Sequence, residues 1–234
     1  MDDIETLRLG PFRIKNKILI RLWSALDDRL GVKEILDDEV FEKIVPAHLG
    51  FWSCFGGLSF FLFISQVITG MLLMVYYQPT IENAHATVTQ IMNEVPFGWL
   101  IRGVHAWGSN LMIVTILIHM TKIYVSGIYK PPRELNWVVG VTLLLLTLGL
   151  SFTGYLLPWT QLAYWATVVG TETPAALPHV GPYIRFLMRG GEEISQVTLT
   201  RFYAIHVMVL PVITASVIGL HIVQIRRQGI AGPM

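Results

Sequence analysis

IRGVHAWGSNLMIVTILIHMTKIY, from Ile101 to Tyr124, is apolar enough to cross a bilayer, yet it carries His105 and His119. Positions fourteen apart, at about 1.5 Å each, lie roughly 21 Å apart along a helix axis. Fourteen steps of about 100° fall only about 40° short of four turns, so both rings leave nearly the same face. A polar ring in hydrocarbon is costly and marks a functional site. Two rings on one face, one near each membrane surface, require partners at two matching depths.

Those partners stand near the end of the chain. FYAIHVMVLPVITASVIGLHIVQI, from Phe202 to Ile225, is a second apolar span and carries His206 and His221. Its step is one residue longer, about 22.5 Å and about 60° past four turns. A straight helix would splay these rings. Pro211 lies between them, and proline causes kinks or a local π-bulge that absorbs one residue. The two pairs can therefore face each other. Buried histidines hydrogen-bonded to neighbouring helices would explain one such residue; two facing pairs point to metal. Neutral imidazole is a metal ligand. An axial histidine on each side of haem iron is the simplest use of such a pair.

Two further spans are expected, Gly50 to Tyr77 and Val138 to Leu157, each near the roughly 20 residues a bilayer demands. The first contains Gly56 and Gly70 and the other Gly140 and Gly154, again fourteen apart and in phase with His105 and His119. A porphyrin edge needs close backbone approach, which glycine permits; glycine also serves plain helix packing in membranes. The fold class is an all-α membrane protein, a four-helix transmembrane bundle holding stacked haems, with an N-terminal amphipathic surface helix. Composition agrees: of 234 residues 53% are hydrophobic and 14% charged, and the mean hydropathy is +0.56. A net charge of +1 gives nucleic-acid binding no electrostatic support. Cys54 is the single cysteine, so no intrachain disulfide can form.

Three segments result: residues 1–49, an amphipathic surface segment; 50–225, the haem-binding bundle; and 226–234, a tail. Ile14, Ile18, Leu22, Leu26 and Leu30 recur at helical spacing between basic residues, fitting a helix on a membrane surface or against a partner subunit. No cleaved signal is expected there. Lys and Arg crowd the N-terminal segment, the loop with Lys122, Lys130 and Arg133, and the tail with Arg226 and Arg227, whereas residues 78–100 have none. The positive-inside rule then puts both termini on the negative side of the membrane. The two histidine helices run the same way, so His105 pairs with His206 near the positive side and His119 with His221 near the negative side. The connection 158–200 is too polar to span; Tyr164 to Gly170 and Gly181 to Arg189 are expected as short interfacial helices.

The four histidines, PPRELNW (Pro131 to Trp137), GYLLPW (Gly154 to Trp159) and the ending TLTRFYAIH...HIVQIRRQGIAGPM resemble the short cytochrome b, or b6, family. That family includes the matching subunit of bacterial menaquinol:cytochrome c reductases, and the resemblance runs from about Trp23 onward. It implies a haem-bearing subunit of a quinol:cytochrome c or plastocyanin oxidoreductase with two haem b. Quinol is oxidised near the positive side, electrons cross the membrane to a quinone site near the negative side, and proton translocation follows. Tyr155, Pro158, Trp159 and Gln161 correspond to the wall of the quinol site. The stretch reads PWTQ where the plastid form usually has Asp before the Gln, and Ala106 stands where that form has Arg. Arg102, one turn before His105, can pair with a haem propionate or anchor the interface. Lys130, Arg133, Arg226 and Arg227 can do the same on the negative side.

The chain is expected to be inactive alone. It lacks the Pro-Glu-Trp-Tyr motif, which a small subunit matching the C-terminal half of cytochrome b (subunit IV type) would supply. A Rieske iron–sulfur protein, a c-type cytochrome, membrane lipid and quinone complete the expected partners, in a homodimeric complex of a bacterial plasma membrane or, alternatively, a thylakoid. Cys54, in FWSCFGG, is by itself a packing residue or a thiol, and no CxxCH exists for ordinary c-type attachment. The resemblance implies more: a lone Cys before a Gly pair that holds one haem c by a single thioether bond near the quinone site. The competing reading is a di-haem membrane anchor passing electrons between a dehydrogenase and quinone without bifurcation; PPRELNW and GYLLPW argue against it.

Overall fold

The structure is a computed structural model and describes residues 7–9, 12–30, 33 and 50–229. The other parts of the expected segment 1–49, and residues 230–234 of the tail, lie outside the described residues. The chain forms two units, Met1–Leu49 and Gly50–Met234.

In the first unit, β1 (Leu7–Leu9) and β2 (Phe12–Ile14) pair antiparallel, with Leu9 opposite Phe12 and Leu7 opposite Ile14. Then comes α1 (Lys17–Leu30). Ile14 therefore closes a strand instead of opening the helix. The reason is Asn16, whose Oδ1 accepts from the backbone N–H of Ile18 (3.0 Å) and of Leu19 (3.3 Å). That satisfies two of the donors a helix start leaves unpaired. Ile18 is 71% and Leu22 59% exposed, so their shared face is left uncovered.

The second unit opens with a 3-10 turn, Phe51–Ser53, and Cys54 caps α2 (Phe55–Met74). α3 (Ala84–Asn93) follows, then α4 (Gly98–Val125), α5 (Glu134–Leu156), α6 (Gln161–Ala175), α7 (Gly181–Arg189) and α8 (Gln196–Gln228). α5 starts four residues earlier than Val138: Glu134 follows Pro131-Pro132 and sets a carboxylate in the first turn, where the helix dipole favours it. α8 starts before Phe202 because Ser195 and Thr198 form a capping box, with the Ser195 N–H donating to Thr198 Oγ1 at 3.0 Å. α3 was not anticipated. Its buried face, Ala84, Thr87 and Ile91, has helical spacing that the residues do carry.

α2, α4, α5 and α8 are, among the described residues, long and apolar enough to cross a membrane. α2 packs on α4, α5 on α8, and α4 touches α5. Leu62, Phe63 and Met112 form a small buried centre on which Val67, Ile116 and Ile218 pack, tying α8 to the first pair. Little else is covered. Only 17, 11, 11 and 6% of the apolar windows of α2, α4, α5 and α8 are buried inside the protein. Helices satisfy their own backbone, so such outward apolar surface suits lipid and not water. The protein is an integral membrane protein.

α8 is not a regular helix. Ile205–Val209 form a π turn directly before Leu210 and Pro211. It supplies the one-residue accommodation that the longer histidine step requires.

The connection between α5 and α8 is a packed cap. Arg189 is buried; its Nη2 lies 2.8 Å from Glu172 Oε1, its Nε donates to Thr171 Oγ1 at 2.8 Å, and its Nη1 donates to the Glu192 carbonyl. Thr198 Oγ1 donates to the Arg189 carbonyl at 2.7 Å, fixing α7 to the start of α8. Tyr77 OH donates to the Leu157 carbonyl at 2.6 Å, joining the chain just past α2 to the end of α5.

Candidate functional site

The four glycines each meet a different histidine. A Cβ on Gly70 would lie 3.3 Å from His105 Cε1, and one on Gly154 2.6 Å from His206 Cε1. At the other end of the bundle, a Cβ on Gly56 would lie 3.0 Å from His119 Cε1, and one on Gly140 3.9 Å from His221 Cε1. Across α2 and α4 both contacts keep one register, since fourteen residues separate the glycines and also the histidines. Across α5 and α8 the register slips by one, fourteen against fifteen, and the π turn holding His206 takes up the difference.

His105 and His206 come together with ring centroids 6.3 Å apart and planes at 82°. A metal–imidazole bond of about 2 Å on each side, plus about 1 Å from nitrogen to ring centre, sets two opposed rings roughly 6 Å apart. The tautomer at this end follows from the hydroxyls. Thr69 Oγ1 donates to the Ser65 carbonyl at 2.7 Å, and Thr153 Oγ1 to the Gly149 carbonyl at 2.8 Å. A carbonyl only accepts, so each hydroxyl proton is used there. Each hydroxyl oxygen is left to accept from a ring: His105 Nδ1 at 2.9 Å and His206 Nδ1 at 3.0 Å. With the proton on Nδ1, Nε2 is the nitrogen able to bind a metal.

At the opposite end His119 Nδ1 and His221 Nδ1 are buried and have no hydrogen-bond partner among the described residues. Among the described residues no group of three or more His, Cys, Asp or Glu could hold a metal ion. Two imidazoles per site, facing a glycine on either side, fit a metal whose remaining positions a macrocycle fills.

Between the two pairs the structure places a residue that sequence reading missed. Gln66 Nε2 is buried without a partner, and a Cβ on Gly108 would collide with it. The signal was available, because Gln66 is an amide inside an apolar span. Asn136 Oδ1, Gln224 Oε1 and Gln228 Oε1 are likewise buried and unpartnered.

Trp159, Thr160, Gln161, Tyr164 and Trp165 line an open pocket of about 370 Å³ beyond the end of α5. Two of the four anticipated wall residues, Trp159 and Gln161, are in that lining. Pro158 is half-buried outside it, and Tyr155 is 50% exposed on α5, next to Gly154. Trp159 has φ 49°, in the left-handed region, and its ring meets Tyr164 edge-on at 6.2 Å. Thr160 caps α6 by accepting from the Ala163 N–H at 3.2 Å, and Gln161 Oε1 accepts from Trp165 Nε1 at 3.3 Å. Thr160, Tyr164 and Trp165 were not anticipated as lining.

Cys54 is exposed at the start of α2, two residues before the glycine that faces His119, and nothing lies within 4 Å of a Cβ on Gly57. Arg102 is half-buried in the first turns of α4 with Nη1 3.6 Å from Met92 Sδ. Arg133 Nη2 donates to the Gln228 carbonyl at 3.2 Å, and Gln228 Nε2 donates to the Pro132 carbonyl at 3.0 Å, so the loop before α5 is tied to the end of α8. Lys130, Arg226 and Arg227 are exposed around this end.

The family described as cytochrome b/b6/petB matches residues 40–229. Cytochrome b6 of Heliobacterium mobile is 47% identical over 211 residues, which is 89% of this chain and 99% of that one. Cytochrome b6 of Synechocystis sp. is 45% identical over 214 residues, covering 92% of this chain and 96% of that one. A chain of the solved structure described as a hyperthermophilic respiratory Complex III aligns with TM-score 0.81 and 37% identity over 90% of this chain. This chain spans 56% of the length of that one. The histidine–glycine geometry and these likenesses agree: the chain belongs to the cytochrome b/b6 family.

Proposed function

We infer that this chain is the haem-b-bearing, membrane-spanning subunit of a quinol oxidoreductase complex of the bc/b6f type. The observation that carries the reading is that four intramembrane histidines each set a ring against a glycine of a neighbouring helix, with the His105 and His206 ring centroids 6.3 Å apart. Family membership supports it independently. His105 with His206 would hold one haem b iron through Nε2, and His119 with His221 would hold the other. When bound, the haems supply reversible one-electron transfer between the two ends of the bundle. The protein's part is to fix the four rings, to clear their faces at Gly56, Gly70, Gly140 and Gly154, and to exclude water from the middle of the span. Arg102 at one end, and Lys130, Arg133, Arg226 and Arg227 at the other, place cations at the depths where propionates would end.

The pocket of Trp159 and Gln161 is the quinol side. It lies beyond Gly154, at the His105/His206 end, and Gln161 offers an amide to a quinol hydroxyl while the indoles form an apolar wall. By the positive-inside rule this end faces the positive side, and both termini face the negative side of a bacterial plasma membrane. Cys54, exposed beside the His119/His221 end, would carry one haem c through a thioether at the quinone-reducing side. A Rieske iron–sulfur protein, a c-type cytochrome and a small subunit corresponding to the C-terminal half of cytochrome b complete a dimeric complex. Among the described residues the lining of this pocket holds no carboxylate, and a partner subunit would supply the proton acceptor for quinol.

Purification of the complex from native membranes tests this. A reduced-minus-oxidised spectrum should show two b components, and an iron–sulfur protein should copurify. On a denaturing gel the subunit should retain haem stain, lost in C54S. A preparation with no b-type spectrum would overturn the reading. Copurification with a dehydrogenase in place of the iron–sulfur protein would favour a di-haem anchor, and an unstained wild-type subunit would remove haem c alone.

A further inference from the structure

The two histidine pairs are built alike from helices and glycines, but their rings are held differently. The difference lies in the residue that precedes each glycine. Thr69 precedes Gly70 and Thr153 precedes Gly154, and these threonines take the Nδ1 hydrogen bonds of His105 and His206 at 2.9 and 3.0 Å. Phe55 precedes Gly56 and Val139 precedes Gly140, and the Nδ1 atoms of His119 and His221 are buried without a partner among the described residues. Hydroxyls near that end are already engaged. Ser59 Oγ lies 2.8 Å from the Phe55 carbonyl and 3.0 Å from Thr115 Oγ1, and Thr115 Oγ1 donates to the Met112 carbonyl at 2.9 Å.

We propose that Thr69 and Thr153 are positioning residues that set the direction of electron flow along the bundle. They do so by hydrogen-bonding the ligand imidazoles at one end only. The inference rests on the bis-histidine reading above and deepens it. A ligating histidine that donates its second N–H to an acceptor becomes a more basic ligand. A more basic axial ligand favours the oxidised iron and lowers its potential, since a hydrogen bond to the ligating ring is one of the protein's levers on haem. Each threonine passes its own proton to a backbone carbonyl, and such chained hydrogen bonds polarise one another, strengthening the acceptor. Both ligands at the His105/His206 end have this support and neither ligand at the other end does. With haem bound, the first end would thereby be held at the lower potential, and an electron entering there would move downhill toward the His119/His221 end. Both threonines are buried, so no water substitutes for either ring contact.

The test is a redox titration of the two b components in the purified complex, resolved by their spectra. In T69V and T153V both haems should be retained. The midpoint of the component assigned to His105 and His206 should rise, the other should stay, and T69S and T153S should return it toward wild type. The converse variant adds an acceptor where there is none. V139T should lower the midpoint of the His119/His221 component, and it decides the matter if either valine variant assembles without haem. Wild-type midpoints in T69V, T153V and V139T with both b components present would overturn the proposal and leave the bis-histidine reading intact. A wild-type complex lacking two b components would overturn that reading itself.

Discussion

At the end of the bundle carrying His105 and His206, each ring nitrogen away from the metal position has a threonine hydroxyl within 3.0 Å. At the end carrying His119 and His221 the same nitrogens are orphaned, and Asn136, Gln224 and Gln228 add unpartnered buried oxygens. The glycine spacing repeats across both ends and makes them look equivalent. What separates them is the single residue before each glycine. Glycine provides the room, and its neighbour decides how firmly the ring beyond it is held. The tighter end is also the one beside the Trp159 pocket, where an electron would enter.

The two glycines of α5 also differ in clearance, and this gives the largest expected effect. A Cβ at Gly154 would stand 2.6 Å from His206, a separation that real Cβ atoms do not show, whereas at Gly140 it would stand 3.9 Å from His221, an ordinary contact. Gly154→Ala should lower occupancy of the b haem at its end by roughly ten-fold or more, because overpacking a fitted site costs about 1–3 kcal/mol. Gly140→Ala should leave both haems in place. Separate quantification of the two b components in reduced membranes checks the ranking. Equal losses in the two variants would break it.

A smaller effect is expected where the chain past α2 meets the end of α5. Tyr77→Phe removes the donor to the Leu157 carbonyl and leaves that acceptor unpaired, worth about 1 kcal/mol. The thermal midpoint of the complex should fall by a few degrees at most. Haem content and the spectrum of the His119/His221 component should stay unchanged. A spectral change at that far end would show that the two ends are not independent.

Much of this was legible in the residues. Histidines in apolar spans, and glycines in phase with them, are placed by helical geometry alone, so sequence spacing fixed which side chains share a face. Pro211 and the extra residue between His206 and His221 pointed to a local π distortion, and the π turn stands just before that proline. The boundaries were less legible because caps set them. Ser195, Glu134 and Asn16 move helix starts by several residues without altering hydropathy. The hydroxyls that hold the histidine rings were not legible. Thr69 and Thr153 look like ordinary small membrane residues until the neighbouring helix brings a histidine to each. Likewise Tyr155 shares GYLLPW with Trp159, but the turn at Trp159 leaves Tyr155 outside the pocket lining.

The central claim is that two histidines from different helices hold each haem, His105 with His206 and His119 with His221. The most direct measurement is the low-temperature reduced-minus-oxidised spectrum of complexes carrying His105→Leu, His206→Leu, His119→Leu or His221→Leu, one at a time. The first two changes should abolish one and the same b component, and the last two should abolish the other. Loss of a common component from His105→Leu and His221→Leu, or no loss from any of the four, would contradict it.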